Sequence, residues 1–135
     1  RLMCISPPDS KNGRRRQPRS WSALSDLPLI GLPPDNPIQS LVESHLPQMQ
    51  RGQGQRQSVS LIGTVIAMVR AGLGHAVIPS FAIDECRRHG LEISMLSGPE
   101  VYLDLYLISR RGARPKPAAQ EFAASIEAAA VKLAK

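Results

Sequence analysis

Short apolar runs alternate with segments of helical periodicity along this chain, and the alternation predicts an α/β fold. Five runs have the length and composition of strands, at residues 2–5, 29–32, 76–78, 91–96 and 101–109. The last is the clearest, because its apolar residues fall at every second position. Helical segments between such strands favour a mainly parallel sheet that is flanked by helices.

The residues after the second apolar run carry the strongest helical signals. Asp35 or Asn36 is suited to cap a helix, and Pro37 suits its first turn, where no free N–H is needed. Apolar or partly apolar side chains then recur with helical spacing at Ile38, Leu41, Val42, His45 and Leu46. This spacing predicts an amphipathic helix. Residues 48–57 are rich in glycine and glutamine and are expected to form a mobile loop.

Three further helices are predicted downstream. We expect Ser58 or Ser60 to cap the second helix, whose residues 61–69 are apolar on most sides and should be buried. Gly72 then suits the left-handed position just past a helix end. The other two are a short helix that Ser80 caps and Gly90 ends, and a final helix over residues 118–134.

Length and composition indicate part of a larger globular protein. The chain has 135 residues, of which 42% are apolar and 4% aromatic, so an aliphatic core is expected rather than disorder. No apolar run approaches the roughly 20 residues of a membrane helix, so no membrane association is expected. The chain starts at Arg1 without a signal-peptide pattern. We therefore expect a piece of a longer, soluble protein.

The net charge of +6 is unevenly distributed. Residues 1–20 contain six basic residues and one acidic residue, and most of this excess lies between Lys11 and Arg19. That stretch has no apolar periodicity and is expected to be an exposed connector. The alternative is a nucleic-acid-binding segment, because clustered arginines neutralise phosphates.

The sequence contains no recognisable catalytic motif. It has no Gly-x-Ser-x-Gly, no Walker loop and no His-Glu-x-x-His, so an enzyme is not expected. Gly72 and Gly74 follow a predicted helix and precede a strand, which is the reverse of the dinucleotide-binding arrangement. His75, at the start of that strand, is expected to be a hydrogen-bonded core or edge residue rather than a base.

The cysteines also predict neither a disulfide framework nor a metal centre. The chain has two cysteines, 82 positions apart. Cys86 and His89 could share a helix face, but two ligands do not make a structural zinc site. We expect no metal and no cofactor, with Cys86 as a partly buried thiol near a surface histidine.

One arrangement of polar residues predicts a binding site. The candidate residues are Pro33, Pro34, Asp35, Asn36 and Pro37, after the second strand, and Ser58 and Ser60, before the second helix. Ligands of parallel α/β sheets bind beyond the carboxyl ends of the strands. Helix N-termini offer free N–H groups and a positive dipole end, which suit a carboxylate or another small anion. The alternative is that these residues only cap their own helices.

Three segments resemble LysR-type transcriptional regulators. Residues 64–79 (TVIAMVRAGLGHAVIP) resemble the helix–Gly-x-Gly–strand–Pro segment of the effector-binding domain of that family. Residues 21–30 are similar to its W-x-x-L…PLI segment, and residues 101–122 resemble its closing strand and last helix. The order and spacing of the three segments match, and the resemblance covers nearly the whole chain. His75 departs from the pattern, since an apolar residue usually follows the second glycine.

The resemblance implies a domain similar to type 2 periplasmic binding proteins, with two α/β lobes, two crossing strands and a small effector between the lobes. Residues 1–6 would be the first crossing strand, and residues 7–100 the second lobe. Residues 101–135 would be the returning strand and the closing helix of the first lobe. The DNA-binding domain and most of the first lobe would lie outside this chain.

The same resemblance implies the partners of the protein. These would be a small-molecule effector bound by the loop Pro33–Pro37 and by Ser58 and Ser60, DNA through the missing N-terminal domain, and further copies in a homo-oligomer. A fragment of a periplasmic-type solute-binding protein is the alternative, although the Ala-Gly-Leu-Gly segment favours the regulator. With half of the cleft missing, the fragment would bind its effector weakly or not at all. The apolar stripe of its closing helix would be exposed, dock non-natively or drive association.

Overall fold

The structure, a computed structural model, describes residues 1–8, 18–46, 55–112 and 115–134. The chain divides into two compact units, Arg1–Leu103 and Asp104–Lys135. Each unit is described by itself. None of the described helices combines the length and the apolar character that crossing a bilayer would require.

The first unit is a sheet with helices and short helical turns between its strands. The strands are β1 (Leu2–Ser6), β2 (Arg19–Ser20), β3 (Leu29–Gly31), β4 (Gln55–Ser58), β5 (His75–Pro79) and β6 (Glu92–Ser97). The helices are α1 (Pro37–His45), α2 (Ile62–Arg70) and α3 (Ile83–Arg88), with 3₁₀ turns at Trp21–Leu24 and Ser80–Ala82. The strands predicted at residues 2–5, 29–32, 76–78 and 91–96 and the helices between them occur in the predicted order, whereas β2 and β4 were not predicted.

The six strands form one mixed sheet in the order β2-β6-β1-β5-β3-β4. β3 runs parallel to β4 and to β5, and β2 runs parallel to β6. These pairings have the predicted parallel direction. β1 instead runs antiparallel to both of its neighbours, β5 and β6. The sheet is mixed because this one strand enters it from the opposite end.

β1 lies at the centre of the core and contributes to both faces of the sheet. All five of its residues are buried, as expected for a strand that is paired on both sides. Met3 and Ile5 pack with residues of α2 and α3, including Val65, Ile66 and Cys86. Leu2 and Cys4 pack on the other face with the 3₁₀ turn and α1, including Trp21, Leu24 and Val42. The sheet is thus covered by apolar side chains from both sides.

The predicted start of α1 is confirmed in detail. Asn36 occupies the N-cap position, and its side-chain Oδ1 accepts a hydrogen bond of 2.9 Å from the backbone N–H of Ile38. Pro37 is the first helical residue. The predicted buried stripe is present, since Val42 and Leu46 are buried. Both capping signals could be recognised from the sequence because they act over two residues.

The prediction that a serine caps α2 is wrong. Leu61 occupies the N-cap position, and no side chain caps the helix. Ser58 is the last residue of β4, and the following N–H, of Val59, still donates to the carbonyl of Gly31 at 3.0 Å. Pairing with β3 therefore keeps the chain extended through Val59, and the helix starts only at Ile62, after Leu61 at the N-cap position.

Two other boundaries differ from the sequence-based expectation. Gln55–Ser58 is a strand, so the predicted loop 48–57 ends earlier; residues 48–54 lie outside the described residues, as does most of the basic stretch from Lys11 to Arg19. Ser80 does not cap the third helix but is the first residue of the 3₁₀ turn that precedes it. Gly72 and Gly90 have the left-handed backbone expected of residues that follow a helix, with φ of 79° and 69°.

The predicted strand over residues 101–109 is wrong. The carbonyl of Val101 accepts a 2.9 Å hydrogen bond from the N–H of Leu2, but residues 101–109 belong to no strand of the described chain. Alternation of apolar residues gives a segment two different faces. It does not provide the neighbouring strand whose N–H and C=O groups a strand must pair with.

The second unit contains one helix, α4 (Pro117–Ala134). This confirms the predicted final helix over residues 118–134. Phe122, Ile126 and Val131 are exposed large apolar residues on it, as are Leu105 and Ile108 in the segment before it. The expected exposure of the apolar stripe is therefore observed for these side chains.

Candidate functional site

The sheet brings the two predicted groups of site residues to one edge. β3 and β4 run parallel and are neighbours, with Gly31 paired to Ser58. Their carboxyl ends therefore point the same way, and the loops that follow both strands lie beyond the same edge of the sheet. Pro33, Pro34, Asp35, Asn36 and Pro37 follow β3; Ser58 and Ser60 end and follow β4. We call this region the carboxyl edge.

The start of β1 and the end of β5 complete the carboxyl edge. β5 runs parallel to β3, so Pro79 and Ser80 lie at the same edge as the loop after β3. β1 runs the other way, and Leu2 is paired with Pro79. The N–H of Ser80 donates to the carbonyl of Arg1 at 2.8 Å. Arg1 and Ser80 thus join the edge, although sequence analysis did not include them.

The loop between β3 and α1 is held by hydrogen bonds within a few residues. The N–H of Asn36 donates to the carbonyl of Pro33 at 2.9 Å, which closes a turn. The hydroxyl of Ser40 donates to the carbonyl of Pro34 at 3.4 Å. Pro34, Asp35 and Pro37 are exposed, whereas Pro33 and Asn36 are half-buried. This loop therefore presents a small, ordered polar surface at the helix start.

The side chain of Gln39 holds this loop from the core side, and the sequence did not point to this residue. Its side chain is buried, with 5% exposure, and its Oε1 accepts the N–H of Leu32 at 3.0 Å. Its Nε2 donates to Oε1 of Glu43 at 2.9 Å. A buried N–H without a partner costs about 1–3 kcal/mol, so the hydrogen bond from Leu32 to the Gln39 amide stabilises the loop after β3. The available signal was a glutamine next to Ile38 on a buried helix face.

The start of α2 differs from the start of α1 in the groups that it presents. Asn36 caps its own helix, which is the alternative role considered above for these residues. Ser58 and Ser60 are exposed and do not cap α2. The first N–H groups of α2 therefore have no side-chain cap, and they carry the positive end of the helix dipole. Of the two helix starts, α2 is better suited to receive an anion.

A buried polar cluster lies at the opposite edge of the sheet, where β1 ends and β5 begins. Nδ1 of His75 lies 2.8 Å from the hydroxyl of Ser6, and Nη1 of Arg19 lies 3.9 Å from Sγ of Cys4. Burial lowers the pKa of His75, and the charge of Arg19 lowers it further. The prediction that His75 is a hydrogen-bonded core residue is confirmed.

Neither cysteine is suited to act as a nucleophile. Both are buried and not in a disulfide. Burial raises the pKa of Cys4 to about 11, against a smaller opposing effect of Arg19. Burial also raises the pKa of Cys86 to about 11, and the charge of Glu85 adds to it. Because the thiolate is the reactive form, both thiols are unreactive at neutral pH.

Cys86 and His89 have different surroundings. Cys86 packs in the core, whereas Nε2 of His89 lies 3.0 Å from Oε1 of Glu85, and its Nδ1 lies 3.1 Å from Nη1 of Arg70. The expected surface role of the histidine is thus confirmed, and the cysteine is more buried than expected. Within the described ranges, no three His, Cys, Asp or Glu side chains are placed to hold a metal ion.

A family comparison matches almost the whole chain. The family model described as the LysR substrate binding domain matches residues 1–130. No curated protein matches the sequence.

Solved structures of similar fold include regulatory proteins. A reduced form of OxyR from N. meningitidis is 24% identical, with a TM-score of 0.61, over 73% of this chain and 48% of that one. A mutant OxyR from Corynebacterium glutamicum with bound hydrogen peroxide is 26% identical, with a TM-score of 0.59, over 69% of this chain and 30% of that one. The regulatory domain of MetR, a LysR family regulator from N. meningitidis, is 11% identical, with a TM-score of 0.59, over 74% of this chain and 47% of that one.

These matches cover only part of each similar protein. The chain spans about half the length of the neisserial OxyR and MetR chains and less than a third of the Corynebacterium chain. Likeness at 11% and 24% identity shows the fold alone. The fold is the type 2 periplasmic-binding-protein-like α/β fold of LysR substrate-binding domains.

Proposed function

This chain belongs to the LysR substrate-binding domain family, and from that premise we propose that it senses a small-molecule effector for a LysR-type DNA-binding transcriptional regulator. The observation that carries the proposal is the carboxyl edge. The parallel pairing of β3 and β4 puts Pro33–Pro37 beside Ser58 and Ser60, although twenty residues lie between the two groups in the sequence. Ligands of α/β sheets bind at such edges.

The effector site consists of the seven predicted residues, and it favours an anionic or neutral ligand. These residues are Pro33, Pro34, Asp35, Asn36, Pro37, Ser58 and Ser60. Asp35 is the single acidic residue among them. The uncapped start of α2 supplies N–H donors and a positive dipole end, which suit a carboxylate. Gln39 holds the loop after β3 in place from the core side.

The wider organisation follows from the family. Residues 1–6 are the first crossing strand, residues 7–100 the second lobe, and residues 101–135 the returning segment, which forms no strand in the described chain, and the closing helix of the first lobe. DNA binding resides in an N-terminal domain outside this chain, and the regulator is a cytoplasmic homo-oligomer. The domain acts by binding, without catalysis, metal or cofactor.

Two other functions receive less support. A periplasmic-type solute-binding protein shares the fold, but the family match over residues 1–130 is to the regulator domain. A reaction of a thiol with peroxide is suggested by one similar structure, a mutant OxyR with bound hydrogen peroxide. Burial of Cys4 and Cys86, each with a pKa raised to about 11, argues against it because a reactive sensor thiol has a low pKa and is accessible.

A thermal-shift screen tests the proposed function. Small carboxylates, aromatic acids and amino acids are screened against this chain and against the full-length protein, followed by titration calorimetry. We expect a ligand that raises the melting temperature, with a larger shift in the full-length protein. Ser60→Ala removes an exposed hydroxyl that caps no helix, so it should weaken binding at unchanged stability. Asn36→Ser keeps a capping oxygen and should weaken binding with little loss of stability.

The control is Ser44→Ala, which changes an exposed serine at the far end of α1. Its affinity should equal that of the unmodified chain. Binding that survives both Ser60→Ala and Asn36→Ser would contradict the placement of the site. An absence of any ligand in both proteins, together with salt-sensitive DNA binding by this chain alone, would favour the basic nucleic-acid-binding segment instead.

A further inference from the structure

A charged and aromatic cluster lies at the β1 end of the carboxyl edge. Nη2 of Arg1 pairs with Oε1 of Glu100. The hydroxyl of Tyr102 donates to Oε2 of the same carboxylate at 2.7 Å. The Tyr102 ring lies under the guanidinium, with its centroid 5.8 Å from Cζ of Arg1. The carboxylate of Glu100 thus joins the cation and the aromatic ring.

The cluster is close to the proposed effector site. The carbonyl of Arg1 accepts the N–H of Ser80, and β5 alone separates β1 from β3. Neighbouring strands are about 4.8 Å apart, so the ends of β1 and β3 are about 10 Å apart. Arg1 continues the alternation of Met3 and Ile5, which face α2. Its side chain is therefore on the face where α2 starts.

The guanidinium of Arg1 is held by an ion pair with Glu100, and another anion can take the place of that carboxylate. Arg1 and Glu100 are both substantially exposed, and exposed ion pairs are weak because water screens them. The Nε–H of Arg1 is buried and meets no hydrogen-bond acceptor within the described part of the chain. A carboxylate that accepts from Nε and one Nη together would satisfy this donor in the bidentate geometry that arginine favours.

We propose that Arg1 is the anchor for the acidic group of a small aromatic carboxylate, which displaces Glu100 and lays its ring beside Tyr102. This inference rests on the proposed function and adds a ligand class and three residues to the site. Glu100 serves as an internal counter-ion that keeps Arg1 oriented until the ligand arrives. Tyr102 is 60% exposed, so part of its ring is accessible to a ligand beside the guanidinium.

The test compares phenylacetate with phenylacetamide, which has nearly the same shape and no charge. Both are titrated into the full chain by calorimetry and by NMR of the arginine Nε–H groups. We expect phenylacetate to bind at least tenfold more tightly than phenylacetamide and to shift the Nε–H resonance of Arg1. Arg1→Met should remove this preference, and Arg1→Lys should restore part of it as a monodentate cation.

Glu100→Gln tests the exchange without altering the cation. It removes the competing charge, so phenylacetate should bind several-fold more tightly while phenylacetamide is little changed. Arg87→Met is the matched control, because Arg87 is also an exposed arginine paired with a carboxylate, that of Asp84 on α3. Its affinities should equal those of the unmodified chain.

Three outcomes would overturn the inference. The first is equal loss of phenylacetate binding in Arg1→Met and Arg87→Met, and the second is weaker binding in Glu100→Gln. The third is an absence of saturable phenylacetate binding. The proposed function still stands in that third case if another acid in the broader screen binds and is lost in Ser60→Ala. It fails separately if no compound in the screen binds.

Discussion

β1 and the segment of residues 101–109 have similar apolar character but lie in different environments. Both are apolar runs, and the second has the cleaner alternation. Every residue of β1 is buried between β5 and β6. In the other segment Leu105, Leu107 and Ile108 are 65%, 58% and 90% exposed. The difference shows that an alternating apolar pattern gives a segment one apolar face, whereas burial of that segment requires a neighbouring strand that pairs with it.

The largest expected effect contrasts one side chain from each region. Ile5→Ala removes a fully buried side chain from the centre of the sheet and should lower the free energy of unfolding by about 2–5 kcal/mol. Leu107→Ala removes a mostly exposed side chain and should change it by less than about 0.5 kcal/mol. Urea denaturation followed by circular dichroism measures both. Equal losses would mean that residues 101–109 are packed as tightly as β1.

A second contrast concerns Gly74, just before β5, which lies close to the backbone of Pro28, just before β3. A Cβ at Gly74 would lie 2.6 Å from the carbonyl oxygen of Pro28, which accepts the N–H of His75. Gly74→Ala should therefore cost about 1–3 kcal/mol, as overpacking does. The control is Gly63→Ala in α2, where no atom lies within 4 Å. It should raise stability by up to about 1 kcal/mol, because alanine favours helix. A neutral Gly74→Ala would disprove the close approach.

The smallest expected effect is the pH dependence of the free energy of unfolding, which comes from His75 beside the buried end of β1. His75 has a folded-state pKa below its ordinary value of 6.5, because it is buried against Ser6 and near Arg19. As the pH falls, the imidazole of His75 is protonated at a higher pH in the unfolded chain than in the folded chain. The free energy of unfolding should therefore fall as the pH drops below about 6.5. His75→Gln should flatten this dependence, measured by urea denaturation between pH 7.5 and 5. An unchanged slope in this variant would assign the pH dependence to other groups.

Much of the fold could be predicted because the signals are local. The cap at Asn36, the proline after it and the left-handed glycine at 72 act within a few residues, so each appears in the sequence where it operates. The loop after β3 was also predicted, because a strand end and a helix start are local features, whereas β4, which precedes the second loop, was predicted to be part of a mobile loop. The prediction that a serine caps α2 failed because pairing with β3 keeps β4 extended through Ser58.

The sequence by itself determined the helices, the strands β1, β3, β5 and β6, the order of these elements and the side chains that the core requires. Only the tertiary structure decided the reversed direction of β1, the unpaired state of residues 101–109, the burial of Gln39 and the position of Arg1 beside Ser80. The physical reason is the range of the interactions. Helix caps and glycine backbones depend on neighbours in sequence, whereas sheet hydrogen bonds and buried polar contacts join residues that only folding brings together.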